Sequence, residues 1–101
     1  MFLYNITYNI DWDIENEWMD WIKRVHLPKI MATGYFENHK IYKLLNVEEE
    51  GITYSLQLFT SDLSKIEEYL EKDAPSIMAE HNQRFRYKHV AFMTVLQEVG
   101  G

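Results

Sequence analysis

Two histidines carry whatever acid–base chemistry this 101-residue chain has to offer. His81 falls on the apolar stripe of the second helical stretch, with Ile77 one turn before it and Phe85 one turn after. A histidine placed there is either a core residue hydrogen-bonded to a backbone carbonyl, or a general base or metal ligand facing a cleft. His26 follows Trp18, Trp21 and Ile22 near the end of the first helical stretch, in WMDWIKRVHLPKIMATG. Either the negative end of a helix dipole holds it protonated in a capping role, or it joins Trp18, Trp21 and Thr33 as one wall of a site. His39 and His89 have no pattern around them and read as surface or strand residues.

The other polar candidates are less pointed. Thr53, Ser55 and Gln57 share one strand face. With Arg84 they either supply polar groups to a cleft or hydrogen-bond across a dimer seam. The acidic run IDWDIENE, starting at Ile10, invites a calcium loop. Counted from Asp11, the sixth and twelfth positions are Asn16 and Ile22, where such a loop needs Gly and Glu, so the run reads as a helix N-terminus. No GxSxG, P-loop, dinucleotide fingerprint or HExxH occurs, and the absence of cysteine excludes disulfides, thiolate chemistry and sulfur-built zinc sites. Nothing here asks for a cofactor or a metal.

A net charge of -6 argues against nucleic acid, since phosphate binding wants a basic stripe and Arg84, Arg86 and Lys88 form the one tight basic cluster. No stretch approaches the roughly 18 apolar residues of a membrane span, and MFLYNITYNIDWD lacks a basic leader, which leads to the expectation of a cytoplasmic protein. The length and 47% hydrophobic content fit one domain over residues 1–101. The aromatic content of 15% is high for that length and points to an interface or a ligand cleft.

The elements that must position these side chains can be read from periodicity. Residues 2 to 10 alternate, with Phe2, Tyr4, Ile6, Tyr8 and Ile10 on one face, as a strand does. Ile14, Trp18, Trp21, Ile22 and Val25 then recur at helical spacing, with acids at the start and bases at the end. Pro28 should end or kink this helix near Leu27, leaving at most one more turn before Thr33 and Gly34. Strands are expected at about Ile41 to Val47 and Ile52 to Thr60, joined by a turn through Gly51, with 34 to 40 as a loop. The second helix opens at Ser61 or Asp62, with Ser64 and Glu67 at capping-box spacing, and buries Leu63, Ile66, Leu70, Ala74 and Ile77, with a break at Pro75. The last strand, Tyr87 to Val99, is apolar on both faces, so it is internal to the sheet or pressed by a partner.

The order βαββαβ is the ferredoxin-like arrangement of the α+β class: a four-stranded antiparallel sheet with both helices on one face. The other face is left bare, and a homodimer apposing two such faces is the economical cover.

The segments YNITYNID, EWMDWIKRVHLPKIMATGYF, GITYSLQLF and EHNQRF together resemble a known family, domain of unknown function 4286, short proteins found mainly in Bacteroidetes. The resemblance runs from Tyr4 to Val99. It implies a ferredoxin-like fold of the dimeric α+β barrel group and no established activity. That wider group includes cofactor-free monooxygenases acting on polycyclic phenols, small-lactone isomerases and haem-degrading enzymes, whose sites lie between helices and sheet. The haem-degrading branch uses an Asn on the first strand, a Trp, and a His on the second helix. Asn5 or Asn9 and His81 match the first and last, but helix two has no Trp, the nearest bulky aromatic being Tyr69.

These readings converge on a cleft lined by Trp18, Trp21, His26, Gln57, His81 and Phe85, entered at the helix exit near Thr33. Two functions fit it. One is a homodimeric module that binds a small molecule or a partner without catalysis. The other is a cofactor-free oxygenase or isomerase, with His26 or His81 as base and Tyr54, Asn5 or Gln57 holding an enolate or phenolate.

Overall fold

The computed structural model describes residues 1–45 and 50–100. Strand β1 (Phe2–Ile10) lies between β3 (Ile52–Thr60) and β4 (His89–Gln97), antiparallel to both, and β2 (Asn38–Lys43) pairs with the outer side of β3. The order is β2-β3-β1-β4, the ferredoxin-like sheet. Register sets the two faces: Ile6 stands opposite Leu56 and Met93, and Tyr8 opposite Tyr54 and Ala91. The alternation of β1 and β3 therefore delivers Tyr4, Ile6, Tyr8, Ile10, Tyr54, Leu56 and Leu58 to one face, where the helices bury them.

The first helical region is longer than the proline suggests. A 3-10 turn (Trp12–Ile14) leads into α1 (Glu15–Trp21), a π-helical turn (Ile22–His26) and α2 (Leu27–Ala32) without interruption. Pro28 has no N–H to give, and in a regular helix its ring would meet the carbonyl four residues back. The turn before it is widened instead, with the Leu27 N–H reaching five residues back to the Ile22 carbonyl, and the helix runs on to a left-handed Gly34. Of the end or kink expected near Leu27, the end is thus corrected. The buried line passes through Ile22, His26, Leu27 and Ile30, and Val25 is exposed.

The second helical region comes as two helices in series, α3 (Leu63–Lys72) and α4 (Ala74–Arg84), meeting at Asp73. Asp62 caps α3 by accepting the Ser64 N–H at 2.9 Å, so Ser64 is the capped residue and not the cap. Tyr69, not Leu70, is the buried member of the stripe. Strand β2 begins at Asn38, inside the expected loop, and Val47 lies outside the described residues together with Glu48 and Glu49 of the expected turn, although Gly51 does take a positive φ of 88°.

Strand β4 is an edge strand, not an internal one. Val90, Phe92 and Leu96 share the helix-free face with Leu3, Thr7 and Asn9 of β1, at 54%, 64% and 49% exposure. The middle of that face is polar: Ser55 donates to Asn5 at 2.5 Å, Asn5 to Thr7 at 3.0 Å, and Asn9 to Thr53 at 3.0 Å.

Candidate functional site

The helix-covered side of the sheet holds a dense aromatic and imidazole cluster. Tyr8 projects into it from β1, Tyr54 from β3, Trp18 from α1, His26 from the π-turn, and His81 and Phe85 from α4 and its end. His26 and His81 are 1% and 0% exposed, and their rings lie 5.3 Å apart. The Tyr8 ring sits 4.7 Å from His81, and the Trp21 ring stacks on His26 at 5.3 Å.

The hydrogen bonds fix the proton positions. Trp18 can only donate, and its indole N–H reaches His81 Nε2 at 2.9 Å. His81 is therefore neutral with its proton on Nδ1, which faces Asn82 Oδ1 at 3.2 Å. The same Asn82 oxygen accepts from His89 Nε2 at 2.8 Å, and His89 Nδ1 faces the Phe85 carbonyl at 3.0 Å. Trp18, His81, Asn82 and His89 thus form one polar chain from core to surface. A second link joins the Tyr8 hydroxyl to His26 Nε2 at 3.0 Å, with Met78 Sδ 3.7 Å from the same hydroxyl.

Both buried imidazoles are poor bases. Loss of water pushes His26 down to about 3, with His81 and Lys29 acting in the same direction, and pushes His81 down to about 4, where the Asn82 hydrogen bond opposes the shift and His89 adds to it. The dipole-stabilised, protonated His26 expected at a helix end is overturned, because the helix does not end there. His81 bonds to side chains, not to the backbone carbonyl expected of a core histidine. At the outer edge, the Tyr54 hydroxyl donates to Glu15 at 2.7 Å, where Lys43 also binds at 3.1 Å. Burial and that carboxylate push the phenol up to about 12, and the same bond lowers Glu15.

The expected cleft comes together only in part. Trp18, Trp21, His26, Tyr54, His81 and Phe85 are mutual neighbours. Gln57, Asn5 and Asn9 are on the opposite face of the sheet, so they cannot hold a ligand against His81, and the haem-degrading pattern of strand Asn with helix His is lost. Arg84 lies outside the cluster, over the Trp21 and Phe85 rings at 5.9 and 5.6 Å, and pairs with Glu17 at 3.3 Å. Thr33 closes the helix by donating to the Ile30 carbonyl at 2.6 Å. Tyr8, Asn82 and His89 were not singled out by the sequence. Tyr8 looks like any member of an alternating strand, and Asn82 and His89 matter only because α4 turns back into β4 beside His81.

Among the described residues no three His, Asp or Glu side chains converge as metal ligands would, and no helix is long and apolar enough to cross a membrane. Open space lies elsewhere. A groove of about 570 Å³ runs between the π-turn and α2 on one side and β2 on the other, lined by Lys23, Leu27, Pro28, Met31, His39, Lys40 and Ile41.

Solved structures share this fold at low identity. An ethyl tert-butyl ether degradation (EthD) family protein from Bacillus halodurans superposes with a TM-score of 0.74 at 9% identity, covering 98% of this chain and 100% of that one. The cofactor-independent oxygenase SnoaB from Streptomyces nogalater gives 0.67 at 10% identity, with 99% and 95% covered. A dimeric ferredoxin-like protein from an uncultured marine organism gives 0.68 at 13% identity, with 99% and 96% covered. No curated protein matches the chain. The family model for the domain of unknown function DUF4286 matches residues 1–99, and the chain belongs to that family.

Proposed function

We propose that this protein is a cytoplasmic homodimer that binds a small molecule without transforming it, its two sheets apposed through their helix-free faces. The observation that carries the dimer is the bare face of β4, where Val90, Phe92 and Leu96 are exposed beside a polar seam of Asn5, Ser55 and Thr7. Covering such a row recovers about 25 cal/mol for each Å² of apolar surface. The likeness to a dimeric ferredoxin-like protein supports self-association. Binding in preference to catalysis is supported by the closed cluster, where His81 has both nitrogens engaged and no exposed surface. Light scattering at micromolar concentration should give twice the mass of the chain, and native mass spectrometry of the same sample should carry an adduct. A monomer mass overturns the dimer.

A second reading is a cofactor-independent oxygenase or isomerase. It is favoured by the Tyr8–His26 pair, a neutral imidazole beside a phenol, and by the likeness to SnoaB. Oxygen uptake with polycyclic phenols that His26→Ala abolishes would replace the first reading with this one.

A further inference from the structure

We propose that the groove between α2 and β2 binds a small amphipathic acid, an aromatic or acyl body carrying one carboxylate. The inference rests on the small-molecule reading above and names its ligand class. At about 570 Å³ the groove is of ligand size. Its inner wall is apolar: Leu27, Pro28 and Met31 come from α2, and Ile41 from β2, where its place opposite Leu56 turns it toward the helices.

Its charge is opposite to that of the rest of the molecule. The chain carries -6 overall, yet no Asp or Glu lines this groove, while Lys23 does; Lys40, opposite Gln57, turns its ammonium to the other face of the sheet, 5.7 Å from the Phe59 ring. Lys23 forms no ion pair among the described residues, a property it shares with Lys40, Lys65 and Arg86, whereas Lys29, Lys43, Lys72, Lys88, Arg24 and Arg84 are paired. A second cleft, about 470 Å³, is lined by Asp11, Asp13 and Glu50 and repels the same ligand. Lys23 stands on the π-turn, one turn before Leu27, so its ammonium reaches the groove mouth while the apolar body of a ligand lies along Leu27 and Met31. The widened turn that accommodates Pro28 is thus also what forms the upper rim. Because the groove lies on the helix side of the sheet, a dimer through the bare face leaves it open.

The test is a titration of the full-length protein with 2-naphthoate and, separately, with the neutral 2-naphthalenemethanol, followed by amide NMR shifts. Saturable shifts at residues 23 to 31 and 39 to 41 are expected with the acid, weakening with salt. Lys23→Glu turns an attraction into a repulsion and should weaken the acid roughly tenfold, while leaving the alcohol unchanged. Lys65→Glu, which reverses an exposed lysine on α3, should change nothing. Equal binding of acid and alcohol with no effect of Lys23→Glu overturns the ligand class, as do shifts confined to other surfaces. If the acid fails while native mass spectra still carry an adduct, the class falls and the binding reading stands; an adduct-free spectrum and no shifts remove both.

Discussion

The indole N–H of Trp18 ends on Nε2 of His81, 2.9 Å away in a fully buried setting, and this one bond decides what His81 can be. A ring nitrogen that accepts from tryptophan cannot also carry a proton, so the histidine is held neutral in one tautomer. On the other side Nδ1 keeps its proton and donates it in a hydrogen bond to Asn82 Oδ1. The bond therefore consumes the basic lone pair that catalysis would need.

Removing the donor should be expensive for stability. Trp18→Phe strands a buried acceptor and leaves a small cavity, and is expected to lower the unfolding free energy by about 2–4 kcal/mol. In a urea cycle with His81→Phe, the double variant should lose less than the two singles together, with a coupling of about 1 kcal/mol or more. Strict additivity would mean that the bond contributes nothing.

Acid should unfold the protein earlier than its carboxylates alone require. His26 and His81 are depressed to about 3 and about 4 when folded, against about 6.5 in an unfolded chain. Between pH 6.5 and 4 the unfolded state binds more protons, so stability rises with pH across that window and falls as pH drops through it. The loss from pH 7 to pH 4 is expected to reach several kcal/mol for the pair, at 1.36 kcal/mol per unit per group. Urea midpoints at pH 7, 6, 5 and 4 should decline steadily, and a flat series from pH 7 to 5 contradicts the assignment.

Tyr87 offers a gain in stability. It is the sole non-glycine residue with positive φ, at 65°, among those described, and it is 88% exposed at the second corner of a turn closed by the Lys88 N–H on the Phe85 carbonyl at 3.0 Å. Glycine or asparagine suits that corner, and a bulky aromatic does not. Tyr87→Asn should raise stability by about 0.5–1 kcal/mol, a few degrees in Tm for a domain of this size. A fall in Tm would show that the ring is held by a second molecule.

The Tyr69 hydroxyl is the one buried side-chain polar atom without a hydrogen-bond partner among the described residues. Its ring is wedged between Tyr4, Tyr35 and Phe36, and burial raises its pKa. Tyr69→Phe keeps the packing and deletes the orphan, so calorimetry should show equal or greater stability, by up to about 1 kcal/mol. A loss above that size would reveal a bonded partner.

The proposed dimer should break at a single substitution. Phe92→Asp puts a charge in the middle of the bare face, beside Thr7 of β1. Light scattering should report a monomer at micromolar concentration with the circular dichroism of the fold retained. A variant that keeps twice the chain mass places the interface elsewhere.

The succession of strands and helices along the chain, the helix-covered face of β1 and β3, the Asp62 start of the second helix and its break beside Pro75 are all legible in the residue pattern, because each depends on neighbours within a few positions. So is the bareness of one sheet face, since β4 shows apolar residues on both sides of its alternation. The site is legible only as a set of suspects. Whether Gln57 and Asn5 share a face with His81 depends on strand register, and register is set by contacts across more than 40 residues. Local pattern made Pro28 a stop signal, yet packing of Ile30 into the core holds the helix together through a widened turn. The protonation states follow the same logic: helical spacing singles out two of the four histidines, but only the tertiary approach of Trp18, Tyr8 and Asn82 determines that both are buried and neutral. Periodicity records which side chains avoid water; which of them then touch is decided by how the helices lie on the sheet.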